Sequence, residues 1–239
     1  MTKKQKKHEL VFGIHPIVEL LKAKRRALIA LYTTKPVPKS WSMIQELLPK
    51  GVPIHYVSRD ALTRMALSDD HQGVIGWASE YPYRAKPFDK ERHGVLVMLD
   101  GIQDPRNLGA IIRSAYCTGV TGVIITKKSS SPLTAAAIKA SAGLAEHIEI
   151  YQAASAASAL QDLKKSGYHI YLAMLGGHDA TDFVYEKPCC VVIGNEAQGL
   201  SSVLRVYGMA VMLPQRRPDI SYNASVAAGI LLFLIAFKK

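Results

Sequence analysis

The chain has 239 residues, of which 49% are hydrophobic, and it carries a formal net charge of +11 at neutral pH. A chain of this size and apolar content can bury one large core or two small ones. The excess of lysine and arginine indicates an anionic partner, most often nucleic acid or an anionic membrane surface. The longest apolar run, residues 226–237, is too short to span a bilayer. We therefore expect no membrane segment.

The cysteines and the basic start of the chain indicate the compartment in which the protein works. Cys117, Cys189 and Cys190 show no metal-ligand spacing, and the two adjacent cysteines are poorly placed to bridge each other. We predict that the protein binds no metal and works in the reducing cytoplasm. The lysine-rich first residues lack the apolar stretch of a secretory signal and are predicted to form a solvated arm.

Helical and strand patterns alternate from about Val11 to Ser79 and predict a compact α/β unit. The predicted helices cover residues 15–24, 41–48 and 60–67, and the predicted strands cover residues 27–32, 52–57 and 73–79. Residues 81–93 break this pattern with two prolines and dense charge, which is typical of a linker. We therefore divide the chain into a domain over residues 1–80, a linker over 81–93 and a second domain over 94–239.

The second domain also alternates strands with helices, which predicts a parallel sheet with helices on both faces. Its predicted strands cover residues 95–99, 122–126, 148–151, 168–175, 191–193 and 210–213. An apolar helix over residues 224–237 follows the last strand, and its apolar surface suits burial in a core or an oligomer interface.

Polar loops follow the last two predicted strands. Gly194-Asn195-Glu196 comes directly after the first of these strands, and a loop from Pro214 leads to Ser221-Tyr222-Asn223. Because the carboxyl ends of parallel strands form the ligand-facing edge of an open α/β sheet, the two loops are predicted to converge on one pocket. The alternative is ordinary turn chemistry.

Two familiar nucleotide-binding motifs are missing from this pocket. Gly194 and Gly199 have the separation of a phosphate-binding P-loop, but Leu200 and Ser201 follow where that motif needs Lys and Ser or Thr. No G-x-G-x-x-G follows a strand, which disfavours a nicotinamide-dependent oxidoreductase. The pocket is therefore not expected to hold a triphosphate or a dinucleotide.

A second group of polar residues surrounds the helix predicted to begin near Asn107. Asn107 and Arg113 lie on this helix, whose free backbone N–H groups suit an RNA phosphate. The alternative is that Asn107 only caps the helix and Arg113 only makes a surface ion pair. Lys127 and Lys128 lie in a basic loop that suits a backbone phosphate, and a solvated loop is equally compatible.

Three segments together resemble one protein family. DPRNLGAIIRSA resembles the motif N-x-G-x-x-x-R, VVIGNEAQGL resembles apolar-G-x-E-x-x-G, and LPQRRPDISYNASVAAG resembles I-P-M…S-L-N-V-S-V-A. In this order the segments are similar to those of the SpoU (TrmH) family of RNA ribose 2′-O-methyltransferases, within the SPOUT superfamily. The first domain, with FGIHPI and HQGV, resembles the small RNA-binding domain of the RlmB-type members.

The resemblance implies an α/β fold in which a small α/β/α RNA-binding domain precedes a parallel-sheet domain with a deep trefoil knot. It also implies S-adenosylmethionine bound in the knot loops, and a homodimer through the C-terminal domain. The cofactor contacts that it implies fall on Gly176, Gly194, Leu213 and Tyr222. The candidate catalytic and RNA-positioning residues are Asn107, Arg113, Glu196, Ser221 and Asn223.

The third segment departs from the family pattern at two places. Gln215, Arg216 and Arg217 follow Pro214 where the family has Met, and Tyr222 stands where it has Leu. An apolar adenine pocket can accept Tyr222. The two arginines are less expected beside a cationic sulfonium, so we predict that they point outward to RNA phosphate.

The sequence therefore predicts transfer of a methyl group from S-adenosylmethionine to a ribose 2′-hydroxyl of structured RNA. The first domain favours ribosomal RNA as the substrate, with guanosine as the favoured nucleotide. The alternatives are a tRNA 2′-O-methyltransferase and a non-catalytic RNA-binding protein that retains the fold. A guanidinium stays protonated and is a poor base, so phosphate positioning or alkoxide stabilisation suits Arg113 better.

Overall fold

A computed structural model describes residues 8–217 and 220–238. The lysine-rich arm predicted at the start of the chain lies outside these residues. The described chain forms a four-stranded sheet of order β1-β4-β2-β3 and a six-stranded sheet of order β10-β8-β9-β5-β6-β7. Within the part of the chain that the structure describes, none of the helices combines the length and apolar character needed to cross a membrane.

The first sheet is mixed. Its elements are β1 (His8–Phe12), α1 (Ile14–Ala23), β2 (Leu28–Thr33), α2 (Trp41–Gln45), β3 (Ile54–Tyr56), α3 (Arg59–Ala66) and β4 (Val74–Ser79). The sequence did not predict β1, which pairs antiparallel with β4. Strand β1 is short, and only its last two residues are fully buried, so its hydrophobic pattern is weak. Strand β2 pairs antiparallel with β4 and parallel with β3.

The second sheet is parallel throughout, as predicted. Its elements are β5 (Val95–Leu99), α4 (Pro105–Cys117), β6 (Gly122–Thr126), α5 (Ala135–Ala140), β7 (Glu149–Ala153), α6 (Ala156–Lys165), β8 (His169–Asp179), β9 (Cys189–Ile193), β10 (Met209–Met212) and α7 (Ala224–Phe237). Two 3₁₀ helices add to these, Leu144–His147 after α5 and Ser202–Val206 after β9. Strand β8 runs past Gly176, beyond the predicted strand end. The trefoil knot stays a prediction.

Helix α4 begins before Asn107. The side chain of Asp104 accepts a hydrogen bond from the backbone N–H of Arg106 at 2.7 Å, and Pro105 occupies the first turn. Both are strong helix-start signals. The alternative that Asn107 only caps the helix is therefore wrong. Since Asp104 caps α4, the side chain of Asn107 remains available for contacts across the sheet edge.

Gly109 allows α4 to lie directly on α5. A Cβ atom at this position would stand 2.3 Å from the carbonyl oxygen of Ala137 and 2.5 Å from the Cβ of Ala140. Only glycine permits such close backbone approach without moving one helix. The glycine of the first motif thus has a packing role that sets the position of Asn107 on the same helix.

Residues 81–93 connect the two sheets and pack against them. Tyr81, Phe88 and His93 are buried in this segment. Arg84 makes ion pairs with Glu149 at 2.6 Å and with Asp89 at 3.4 Å. The backbone N–H of Arg84 also donates to the carbonyl oxygen of Ile150. The segment is therefore anchored along β7 instead of hanging freely between the sheets.

Glu146 is a buried carboxylate where the two sheets meet. Only 1% of its surface is exposed, and its carboxylate lies 3.4 Å from the guanidinium of Arg26 without forming a well-aligned hydrogen bond. Burial raises the pKa of Glu146 from 4.5 to about 6, against the opposing effect of Arg26 and Arg25. Between these two pH values the folded protein retains a proton that the unfolded chain has released, so its stability falls as the pH rises through this window.

We predict that Glu146→Gln removes this pH-dependent loss of stability. The thermal midpoint of the variant should rise relative to wild type when the pH is raised from 4.5 to 7, because only wild type then has to ionise a buried carboxyl. Midpoints measured across this range by circular dichroism provide the check. Glu80→Gln removes a carboxylate from an exposed position and is the matched control. A constant difference between Glu146→Gln and wild type would contradict the prediction.

Candidate active site

A cavity of about 380 Å³ lies at the carboxyl edge of the second sheet. It is walled by the middle of β8, the ends of β9 and β10, the loops that follow β9 and β10, and the first turns of α7. Two of the three motif segments contribute to it, the second through Gly194 and Glu196 and the third through Leu213, Ser221 and Tyr222. The predicted convergence of the two polar loops on one pocket therefore agrees with the structure.

The loop after β9 is held by its own backbone. A Cβ atom on Gly194 would stand 2.4 Å from the backbone nitrogen of Leu200, so glycine is required where the loop folds back on itself. The backbone N–H of Gly199 donates to the carbonyl oxygen of Asn195 at 2.8 Å. This closed loop gives the cavity a wall of backbone groups whose position does not depend on long side chains.

Asn195 ties this loop to the neighbouring strand ends. Its side-chain oxygen accepts hydrogen bonds from the backbone N–H groups of Ala197 and Gln198, and its side-chain nitrogen donates to the carbonyl oxygen of Gly101 at 2.8 Å. The backbone N–H of Gly101 in turn donates to the hydroxyl of Ser130 at 3.1 Å. The loops that follow β9, β5 and β6 are therefore joined in series.

The opposite wall is formed by the end of β10 and the start of α7. Leu213 is almost fully buried, and the hydroxyl of Tyr222 donates to the carbonyl oxygen of Pro214 at 3.3 Å. Tyr222 is 44% exposed, which leaves part of its ring open beside the cavity. Gly176 lies just beyond the lining residue Leu175, and its backbone N–H donates to the sulfur of Met212.

A polar cluster of Asn107, Glu196 and Asn223 stands at the edge of the cavity. The Asn107 side chain donates to Oε1 of Glu196 at 3.0 Å and accepts from the Asn223 side chain at 3.3 Å. The side-chain oxygen of Asn223 also caps α7, because it accepts from the backbone N–H of Ser225 at 2.9 Å. One residue from each of the three motif segments therefore meets in a single hydrogen-bonded row.

The basic candidates are all exposed. Arg113 lies on α4, and among the described residues no ion pair joins it to a carboxylate; its role stays a prediction. Lys127 and Lys128 are exposed in the loop after β6, which is tied to Gly101. Arg216 and Arg217 are exposed next to the lining residue Gln215.

The arrangement suits binding of a small molecule beside a polar rim. The cavity falls within the roughly 300–1,000 Å³ range of small-molecule sites, and most of its wall is apolar or backbone. Glu196 is the one acidic side chain among the described lining residues. In the described part of the chain, no group of three or more His, Cys, Asp or Glu side chains is placed to hold a metal ion.

Comparison with known proteins assigns this site to a family. A family model described as the SpoU rRNA Methylase family matches residues 94–233, which is more than half of the chain. The chain belongs to this family. A second model, described as RNA 2′-O ribose methyltransferase substrate binding, matches residues 10–84. Both family matches therefore agree with the resemblance stated from the sequence motifs.

The similar proteins span nearly the whole chain. The putative TrmH family tRNA/rRNA methyltransferase YacO of Bacillus subtilis is 30% identical and covers 97% of this chain and 96% of its own length. A protein described as an uncharacterized tRNA/rRNA methyltransferase from Mycobacterium marinum is 35% identical, with coverage of 97% and 77%. The chain is thus an RNA methyltransferase of the SpoU/TrmH type at the family level.

Solved structures share the fold. A crystal structure of an RNA 2′-O ribose methyltransferase has a TM-score of 0.83 at 20% identity, over 95% of this chain and 87% of that chain. The AdoMet-bound rRNA methyltransferase of Sinorhizobium meliloti has a TM-score of 0.78 at 24% identity, over 95% and 85%. The fold class predicted from the sequence, with its substrate-binding domain and parallel-sheet domain, is confirmed.

Sequence reasoning missed several residues of the site. Asn195 was seen only as a turn residue between Gly194 and Glu196, yet it joins two strand ends. The middle of β8 contributes Ala173, Met174 and Leu175 to the wall, and these apolar residues carry no motif. The signal for Asn195 was available, because a short amide directly after a buried strand commonly hydrogen-bonds to nearby backbone.

We predict that Asn195→Ala loosens the loop after β9. The change removes the bond to Gly101 and both bonds to the loop N–H groups, so it should cost about 1 kcal/mol and raise amide exchange across residues 194–200. Hydrogen–deuterium exchange read by mass spectrometry provides the check. Gln198→Ala, which removes an exposed amide from the same loop, is the matched control. Equal exchange in both variants would contradict the anchoring role.

Proposed function

We propose that this protein transfers a methyl group from S-adenosylmethionine to a ribose 2′-hydroxyl of structured RNA, with ribosomal RNA favoured over tRNA and guanosine as the favoured nucleotide. The observation that carries the proposal is the row of Asn107, Glu196 and Asn223 at the edge of the cavity. These three side chains come from three separate segments of the chain. A protein that only binds RNA has no need for such a row beside a pocket of small-molecule size.

The residues of the cavity fit S-adenosylmethionine. Leu213 and Tyr222 offer apolar and aromatic surface for an adenine, and Gly194 leaves backbone groups of its loop close to the cavity. The carboxylate of Glu196 is compatible with a nearby sulfonium cation. When bound, S-adenosylmethionine supplies a methyl group that is already activated, so the protein mainly has to align the acceptor. Metal ligands are not needed for this chemistry.

Side chains of the polar row and of α4 would position the acceptor, the ribose 2′-hydroxyl. A ribose hydroxyl is poorly acidic, so its proton must be accepted as the new bond forms. The Glu196 carboxylate fixes the Asn107 amide in one orientation, and Asn223 fixes it from the other side. This leaves Asn107 and Asn223 oriented to position a ribose, while Arg113 contributes positive charge from α4 for a phosphate or a developing alkoxide.

The basic loops offer a path for RNA towards this row. Lys127 and Lys128 extend from the loop that is linked to Gly101 and Asn195, and Arg216 and Arg217 directly follow the lining residue Gln215. Contacts of this kind to phosphates position RNA without reading its sequence. The match of residues 10–84 to a substrate-binding model supports RNA recognition by the first sheet as well.

We predict that the protein binds S-adenosylmethionine without added metal and that Arg113→Ala leaves this binding nearly intact. Arg113 does not line the cavity, so its loss should act on transfer, which we expect to fall by about 10² or more. Calorimetry and single-turnover methylation of RNA from cells lacking the protein provide the measurements. Arg106→Ala, on the same helix, controls for the loss of one positive charge.

Two outcomes would separate the possible roles of Arg113. If Arg113→Lys restores most of the rate, Arg113 acts through its charge, whereas a rate as low as that of Arg113→Ala indicates bidentate contact with phosphate. Near-normal transfer by Arg113→Ala would remove it from the catalytic residues.

Absence of S-adenosylmethionine binding by folded wild type would overturn the enzymatic reading and leave the RNA-binding alternative. Mapping 2′-O-methyl positions in ribosomal and transfer RNA would decide between the two substrates.

A homodimer through the C-terminal domain also forms part of the proposal. Helix α7 buries Ala228, Leu231, Leu232 and Ile235, whereas its outer side exposes an apolar stripe, defined as Val226, Ile230, Phe233 and Phe237. Residues at this spacing share one helix face. Helix α4 packs beside α7, with Ser114 next to Gly229. The helix beside the one that carries the stripe therefore carries Arg113, which suits an active site near a subunit boundary.

We predict that Phe233→Asp makes the protein monomeric at micromolar concentration. Phe233 is 58% exposed in the single chain, and a charge in the middle of the stripe would have to be buried in a dimer. Sedimentation velocity provides the measurement. Leu67→Asp, at an exposed apolar residue of the first domain, is the matched control and should not alter the assembly. A monomeric wild type, or a Phe233→Asp dimer, would contradict the assignment of this stripe.

A further inference from the structure

The two sheets are joined by an interface that combines an apolar core with several polar contacts, and the methyl-transfer chemistry does not use it. Helix α1 packs against α5 and against the 3₁₀ helix Leu144–His147, and β1 packs against α5. Apolar residues from both sides belong to one continuous core that includes Ile17 and Leu20 of α1 and Ala137 and Ile138 of α5. The interface therefore resembles the interior of one domain more than a loose contact between two.

Arg25 and Tyr81 hold the carbonyl end of the 3₁₀ helix. The guanidinium of Arg25 donates to the carbonyl oxygens of Glu146 at 3.2 Å and Ile148 at 2.7 Å. The hydroxyl oxygen of Tyr81 lies 2.9 Å from the carbonyl oxygen of Ala145 and 2.7 Å from that of Ile148, and its one hydrogen is shared between them. Carbonyl groups at the end of a helix lack partners within the helix, and a cation is favourable there. Arg25 and Tyr81 supply those partners from the N-terminal side.

A second polar contact lies at the other end of the interface. Oε1 of Gln72 accepts hydrogen bonds from the backbone N–H of Ile14 at 3.1 Å and from Nζ of Lys139 at 2.8 Å. Gln72 thus joins the start of α1 to α5 of the second sheet. Gln72 has a φ of 54°, a conformation that a residue with a side chain rarely adopts, so surrounding contacts must hold it in place. The HQGV and FGIHPI segments meet at this point.

This interface is connected by direct packing to α4, the helix that carries Asn107 of the polar row. The 3₁₀ helix and α5 pack directly on α4, where Gly109 lies against Ala137. His147 forms a further link, because its Nε2 lies 2.7 Å from the Glu19 carboxylate of α1 while its ring lies 5.6 Å from the ring of Tyr116 on α4. Two packed layers thus connect α1 to the helix that carries Asn107.

We propose that Arg25, Tyr81 and Gln72 are positioning residues that fix the N-terminal unit, residues 8–79, in one orientation relative to the row of Asn107, Glu196 and Asn223. RNA bound by the N-terminal unit then reaches the cavity in one register. The distance between the RNA-binding surface of that unit and the polar row selects the nucleotide that is methylated. This inference rests on the proposed function for its kinetic consequence. The fixed orientation itself is independent of any enzymatic activity.

Arg25 offers the cleanest test, because its guanidinium bonds to carbonyl and hydroxyl groups of this interface. Arg25→Met keeps much of the side-chain volume and removes the donors, and Arg25→Lys restores a charge without the planar fork. Arg64→Met, at an exposed arginine of α3, removes the same charge from the same unit and is the matched control. All variants are made in the full chain.

The first measurement is a distance distribution between two spin labels. Lys50→Cys on the N-terminal unit and Lys165→Cys on α6 provide exposed sites, while Cys117→Ser removes the exposed native thiol. Labelled protein is mixed with excess unlabelled protein so that distances within one chain are recorded. We expect one narrow distribution in wild type and Arg64→Met, and a broad one in Arg25→Met. A broad distribution in wild type, or a narrow one in Arg25→Met, would overturn the proposal.

The second measurement is methyl transfer, normalised to the sites that bind S-adenosylmethionine. For Arg25→Met we expect unchanged cofactor affinity, an RNA dissociation constant within about twofold of wild type, and a kcat lowered about tenfold, with partial recovery in Arg25→Lys. Weakened RNA binding with normal kcat would show that Arg25 contacts RNA and would refute positioning. Failure of wild type to methylate RNA would refute the proposed function, whereas the label distances would still test the fixed orientation.

Discussion

The pairing of β9 with β5 on one side and β8 on the other is the constraint on which the site depends. Each residue of β9 is buried, and its register aligns Ile193 with Leu99. The two strands therefore end together, and the loops that follow them must leave the sheet side by side. The bond from Asn195 to Gly101 and the bond from Asn107 to Glu196 both cross this shared edge. Neither bond could form if β9 slipped by one residue, because a slip reverses the side-chain directions.

Strand β10 closes the cavity from the other side through an irregular register. It pairs with β8 at Tyr171 and Leu172 and then, after a shift between Ala210 and Val211, at His178 and Asp179. This shift is accommodated by the part of β8 that lies between, which includes Leu175 and Gly176. A strand that skips part of its neighbour leaves room between the two, and the lining residues Ala173, Met174 and Leu175 come from this stretch.

Much of the second sheet was predictable because its strands are short, buried and rich in β-branched residues. The strands at Val95–Leu99 and Gly122–Thr126 match their predicted bounds, and so does the apolar helix Ala224–Phe237. The polar residues at strand ends were also identifiable, since parallel strands bring their carboxyl ends to one edge. Strand β1, the bond from Asn195 to Gly101 and the packing of residues 81–93 were not predictable, because each depends on a distant partner that leaves no local pattern. Phe88, for example, is buried against Gly122 by tertiary contact alone.

The motif glycine at position 109 shows how packing and chemistry are coupled in this fold. Gly109 makes no contact with the cavity, yet it sets the separation of α4 and α5, and α4 carries both Asn107 and Arg113. Helix α5 is in turn one side of the interface with the N-terminal unit. A change at α5 would therefore move the polar row and the N-terminal unit together. The position of the N-terminal unit relative to the polar row thus depends on small residues packed between α4 and α5. Because these side chains are too small to rotate out of the way, a displacement of one helix moves the other.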